Sequence, residues 1–150
     1  MFLNKKTAVY FFSAVFLLVI DRFLKLIALN NISKEIFGEW FRFNYVKNYY
    51  IAFSLPITGH VLNIIIAIII LWLTYYFVFL IKKPDHGEAG FLLLVIFGAA
   101  SNFFDRLKFG YVIDYFDLSY FTVFNLSDAM IFLGVMGFLL LGKRCPHTSQ

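Results

Sequence analysis

The sequence predicts an all-α integral membrane protein with four transmembrane helices and a small extracytoplasmic β-like platform in the loop between helices 1 and 2. Three observations carry this. The 150 residues are 61% hydrophobic and only 15% charged, which is more apolar surface than a soluble domain of this length buries. Four stretches approach the roughly 20 residues that a helix needs to cross about 30 Å of hydrocarbon. Finally, basic pairs gather at the flanks of these stretches.

The four predicted helices are Thr7–Leu29, His60–Ile81, Glu88–Leu107 and Phe124–Leu141. Lys5 and Lys6 precede the first, Lys82 and Lys83 join the second to the third, and Lys143 and Arg144 follow the fourth. Basic flanks face the cytoplasm, so both termini are expected inside and the segments 30–59 and 108–123 outside. Two lysines before an apolar run also begin a secretory signal peptide. No small-residue cleavage site follows, and Asp21, Arg22 and Lys25 interrupt the run, so a retained first helix is expected.

In the first outer loop, Trp40-Phe41-Arg42-Phe43-Asn44-Tyr45-Val46 alternates partly in polarity, which predicts a strand or hairpin ending near Pro56 and Gly59. Its aromatics suit either a membrane-interface belt or a platform that guides an extended or lipidated substrate. Nothing suggests a repeat array, a low-complexity tract or a flexible linker, so residues 1–150 are read as one four-helix domain. The net charge of +4 resides mostly in the cytoplasmic flanks and gives no reason to expect nucleic acid. The single cysteine, Cys145, forms no disulfide framework and, with only His147 nearby, no metal site. No cofactor is expected.

The chemistry is expected among the carboxylates, because acids are costly near a bilayer and are functional candidates there. Asn-x-x-Asp occurs twice, at Asn102–Asp105 and Asn125–Asp128, on either side of the second outer loop. Asn125 and Asp128 open a helix in a capping-box-like pattern, so capping explains Asp128 as readily as catalysis does. Asp105 ends a helix, where the dipole disfavours an anion, and capping does not explain it. Asn102, three residues earlier, shares its face, whereas Arg106 points about 100° away. Asp114 and Asp117 lie in Tyr111-Val112-Ile113-Asp114-Tyr115-Phe116-Asp117. That stretch is either an interfacial turn with two solvated acids or a place of low water content where Asp114 is hard to ionise.

The end of helix 3, the loop and the start of helix 4 meet at one boundary, so Asp105 or Asp114 can approach Asp128. Two adjacent carboxyls hold one proton between them, and such a pair hydrolyses peptides by acting as base and acid at once. Other schemes lack parts. His60, His86 and His147 are scattered and no second cysteine exists, so neither a zinc site nor a Ser-His-Asp triad is visible. A Ser-Lys pair would combine Ser54, Ser101 or Ser127 with Lys25, Lys47 or Lys108, and no spacing singles one out.

Taken together, Asn102-x-x-Asp105-Arg106, Val112-Ile113-Asp114-Tyr115, Phe124-Asn125-x-x-Asp128, Asp21-Arg22-x-x-Lys25 and the stretch from Asn48 to Ser54 resemble the bacterial lipoprotein signal peptidase family, signal peptidase II. The resemblance spans most of the chain. It implies an aspartyl endopeptidase of the bacterial cytoplasmic (inner) membrane that removes signal peptides from prolipoproteins, cutting before a diacylglyceryl-modified cysteine, with its active site near the outer face. It implies Asp114 and Asp128 as the catalytic pair, with Asp21, Lys25, Asn48, Asn102, Asp105, Arg106 and Asn125 in support or at the substrate. The implied partners are the prolipoprotein and membrane lipid, without metal. Tyr50 and Ser127 stand where the family usually has Gly and Ala, and Ser127 is expected to donate to Asp128.

Two other classes remain. A small proton- or cation-coupled transporter would use Asp21 and Asp105, but such carriers place ionisable groups near the midplane on broken helices, and no paired Gly/Pro interruption is present. An assembly subunit would keep the acids only as structural ion pairs.

Overall fold

A computed structural model describes residues 5–30, 32–49, 59–82, 87–119 and 121–142. In chain order these form α1 (Lys5–Leu29), β1 (Lys34–Phe37), β2 (Phe41–Asn48), α2 (Gly59–Leu80), α3 (Gly87–Phe109), β3 (Val112–Leu118), β4 (Thr122–Phe124) and α4 (Leu126–Gly142). The helices lie within three residues of the predicted boundaries. Phe124 is a correction: it closes β4, and Asn125 precedes the helix.

The helices expose apolar faces, and their buried polar residues gather on the inner faces of α1, α3 and α4. In α1 the buried positions Thr7, Ala14, Asp21, Lys25 and Ala28 recur at helical spacing as one stripe. The opposite faces expose Phe12, Phe16, Val19, Phe23 and Leu26. The Ile-rich α2 exposes Ile64, Ile68, Leu71, Trp72 and Tyr75, each by more than half. Soluble proteins rarely leave so large an apolar patch uncovered, whereas a lipid-facing helix requires it, because only the helix backbone satisfies itself without water. Gly59–Leu80 and Glu88–Phe109 are each long and apolar enough to cross a membrane; α4 is apolar but shorter.

Helix α3 packs closely on α4. A Cβ on Gly98 would lie 2.6 Å from the Ser127 carbonyl oxygen, so only glycine lets the first turn of α4 approach this closely, as small residues do in membrane helix pairs. Gly98, Ser101, Asn102 and Asp105 share this face of α3 by their spacing of three and four residues. The helix ends at Gly110, whose φ of +81° and bond from its amide to the Arg106 carbonyl at 3.1 Å form a left-handed cap that turns the chain into β3.

The platform is larger than predicted. It is an antiparallel sheet in the order β1-β2-β3-β4, with one hairpin from the α1–α2 connection and the other from the α3–α4 connection. The stretch Tyr111–Asp117, read from sequence either as an interfacial turn or as a place of low water content, contributes an inner strand, with Val112, Ile113, Asp114 and Tyr115 all buried. Its alternation is hidden because both faces are covered, a pattern that reads as a continuous apolar run. Ala28 of α1, Phe43, Ile113 and Tyr115 form the core between sheet and helix. At the far edge the two turns are joined: the Ser119 amide donates to the Trp40 carbonyl at 3.2 Å and Arg42 donates to the Ser119 hydroxyl at 2.9 Å. β2 ends at Asn48, earlier than the expected end near Pro56 and Gly59, and Gly59 instead begins α2; Tyr50 and Pro56 lie outside the described residues.

Candidate functional site

Every predicted site residue falls at the junction of the sheet with α1, α3 and α4, and two clusters form there. One is built of ion pairs. Lys25 Nζ lies 2.7 Å from Asp105 and 3.2 Å from Asp21, and Arg22 lies 2.8 Å from Asp105 and 3.3 Å from Asp21. Both carboxylates are fully buried. Asp105 also accepts the Ile113 amide at 3.3 Å. This explains an anion at the wrong end of a helix dipole: two cations from α1 outweigh the last carbonyls of α3.

The second cluster is held by amides. Asn125 precedes α4 and caps it, its Oδ1 accepting the Asp128 amide at 2.9 Å while Asp128 accepts the Asn125 amide at 3.2 Å. This reciprocal box is the pattern expected from sequence. It uses only one Asp128 oxygen; the other accepts Asn102 Nδ2 at 2.7 Å. The side-chain amide of Asn125 donates to Asp114 at 2.6 Å and to Asn102 at 3.2 Å. Asn48 donates to the other Asp114 oxygen at 2.9 Å, diagonally across the β2–β3 ladder in which Asn48 pairs with Val112. Lys25 joins the clusters by donating to Asn102 at 2.8 Å.

Asp114 and Asp128 thus meet around one asparagine. Burial, then the charge of Asp128, pushes the Asp114 carboxyl up to about 7, so a proton is retained near neutrality. Arg106 stands near Asp128, Asp114 and Asp105 and interacts electrostatically with each. It also lines a cavity of about 370 Å³ with Tyr49, His60 and Asn63.

The structure separates two alternatives that the sequence left open and corrects one expectation. The symmetrical pairing of Asp105 with Asp128 does not form, since Asp105 is taken up by Lys25 and Arg22. Asp114 is not a solvated turn acid but is 1% exposed. Ser127 donates to Asp21 at 2.7 Å, not to Asp128, because neighbours in a helix point about 100° apart. The Ser101 hydroxyl likewise donates to Asp21, at 2.6 Å, and Lys25 serves acids and Asn102, so neither serine pairs with that lysine; Ser54 lies outside the described residues. Among the described residues no group of three or more His, Cys, Asp or Glu is placed to hold a metal ion.

Sequence reasoning missed Tyr115, whose hydroxyl donates to Asp21 at 3.0 Å and accepts the Leu126 amide at 2.9 Å. An aromatic in an apolar run reads as core; the only signal was its position beside Asp114.

Comparisons with known proteins place the chain in a family. Residues 13–142 match the family model described as Signal peptidase (SPase) II. The chain is 35% identical to the lipoprotein signal peptidase of Moorella thermoacetica over 82% of its own length and 85% of that protein's. It is 29% identical to that of Enterococcus faecalis across 99% of this chain and 98% of that one. Its fold is similar to that of a bacterial membrane enzyme solved by the in meso method at 2.3 Å resolution, with a TM-score of 0.80 and 24% identity, covering 95% of this chain and 94% of that one. An inward-facing acid cluster, an apolar exterior and a family match over nearly the whole length agree: the chain belongs to the signal peptidase II family.

Proposed function

We propose that this membrane enzyme is an aspartic endopeptidase that removes signal peptides from prolipoproteins, cutting before a diacylglyceryl-modified cysteine, with Asp114 and Asp128 as the catalytic pair. The observation that carries the pair is the convergence of both carboxyls on Asn125. One proton is shared between them. As water attacks the scissile carbonyl, the ionised carboxylate takes a proton from it and the protonated partner gives its own to the carbonyl oxygen. In the second step the tetrahedral centre collapses, the C–N bond breaks, the amine takes up the proton drawn from water, and a hydroxyl proton returns to the dyad. Asn48, Asn102 and Asn125 orient the carboxyls; Asp21, Lys25 and Asp105 brace the elements that carry them. Arg106, at the edge of the cleft, faces the substrate.

In this proposal residues 1–150 act as one unit with all four helices across the bacterial inner membrane. Both termini are cytoplasmic, as Lys5 and Lys82 favour, and the sheet with its acid pair lies at the outer face, at the depth of a substrate's lipid anchor. A cation carrier would need Asp21 and Asp105 open to its cargo; here Lys25 and Arg22 of the same chain occupy both. The test is cleavage of a diacylglyceryl-modified prolipoprotein by the purified protein, comparing the wild type with Asp114→Asn, Asp128→Asn and Asp105→Asn at equal folded fraction. Loss in the first two and partial activity in the third supports the dyad; a wild type that cleaves nothing overturns the function.

A further inference from the structure

We propose that the hydroxyls of Tyr115 and Ser127 are positioning groups that set the spacing of Asp114 and Asp128 by tying the start of α4 to Asp21. This rests on the dyad described above. A helix begins with amides that have no partner inside it. In α4 the first three find side chains from β3, from α1 and from the residue before the helix: the Leu126 amide donates to Tyr115 at 2.9 Å, that of Ser127 to Asp21 at 3.2 Å, and that of Asp128 to Asn125 at 2.9 Å. Local capping supplies only the last.

The direction of the Tyr115 relay is determined. An amide can only donate, so the phenol accepts from Leu126 and gives its single proton to Asp21, at 3.0 Å. Burial, with the charge of Asp21, holds that phenol protonated far above its ordinary range. The Ser127 hydroxyl adds a second tie to Asp21 at 2.7 Å. Asp21 is itself fixed, fully buried and bonded to Ser101, Lys25 and Arg22. Each positioning residue adjoins one member of the pair, Tyr115 following Asp114 on β3 and Ser127 preceding Asp128 on α4. A single buried carboxylate on α1 therefore references both the strand that carries one acid and the helix that carries the other. Asn125 orients the acids, but it moves with α4 and does not hold the helix at a fixed height.

The test uses the full chain in lipid or detergent, a diacylglyceryl-modified prolipoprotein as substrate, and the variants Tyr115→Phe, Ser127→Ala and the double variant. Thr74→Val, which removes an exposed hydroxyl of α2 bonded only to its own helix, is the control. With rates expressed per folded molecule, each single variant lowers kcat about tenfold with KM within about twofold, while the control retains wild-type values. The alkaline limb of the pH profile moves to lower pH in Tyr115→Phe, because Asp128 acts less strongly on Asp114 once the two separate. The double variant loses less than the product of the single losses, since both ties end on Asp21. If Tyr115→Phe does not fold, Ser127→Ala, which keeps the backbone bond from residue 127 to Asp21, serves the same comparison. Unchanged kcat and pH profile, or a loss accounted for by unfolded protein with the profile intact, overturns the inference while leaving the peptidase standing. A wild type without activity overturns both.

Discussion

Asp21 and Asp105 are buried against Lys25 and Arg22, whereas Asp114 and Asp128 are buried against the side chains of Asn48, Asn102 and Asn125. The two clusters touch through Lys25 and Asn102, yet they suit different tasks. A cation in contact stabilises an anion and removes any reason for it to hold a proton, which makes an anchor. An amide orients a carboxyl without neutralising it, so in the proposed pair burial and mutual repulsion keep one proton, as an acid and base require. The repeated Asn-x-x-Asp motif is therefore divided between the two tasks: the same short pattern ends in an ion-paired acid on α3 and an amide-held acid on α4.

The largest effect expected from breaking this contrast is chemical. Asp114→Asn and Asp128→Asn each reduce cleavage by at least about 1000-fold, within the range for removal of a general acid or base, while the melting temperature stays at or above that of the wild type. A parallel drop in melting temperature would show that these acids are structural too. Next comes Asp105→Asn, which leaves Arg22 and Lys25 with one carboxylate between them. Removing one partner of a buried ion pair costs about 3–5 kcal/mol, so unfolding in detergent should shift strongly, with residual activity in the molecules that remain folded.

A pH series sharpens the contrast further. The folded-state value of Asp114 is raised, to about 7, so its contribution to stability is complete below the ordinary carboxylate range and is lost as pH rises through about 7. The wild type should lose stability across that interval, and Asp114→Asn should lose less. Activity should fall over the same interval as the shared proton leaves. The smallest effect is expected at Asn48. Its bond stabilises the ionised form of Asp114, so Asn48→Ala moves the alkaline limb to higher pH and costs about 1 kcal/mol of stability, the net worth of one hydrogen bond.

By itself the sequence determined the membrane class, the helices, the cap at Asn125 and the set of acids and amides from which the site is made. The class, helices and cap follow from composition, from apolar runs of about the length a bilayer demands and from spacings within a turn of helix, all of which are local; the full set of acids and amides came with the family resemblance. The pairing was not local. Asp105 and Asp114 are equally able to approach Asp128 along the chain; the resemblance implied Asp114, and the packing of α1 against α3, which brings Lys25 and Arg22 onto Asp105, supplies the physical reason that separates anchor from candidate catalyst. The inner strand β3 was hidden because a strand covered on both faces shows no alternation. Tyr115 and Ser127 became legible only once tertiary structure placed Asp21, 94 residues from one and 106 from the other, within hydrogen-bond reach. A hydrogen bond requires a separation of about 3 Å between particular atoms, and no sequence periodicity encodes that distance across elements so far apart in the chain.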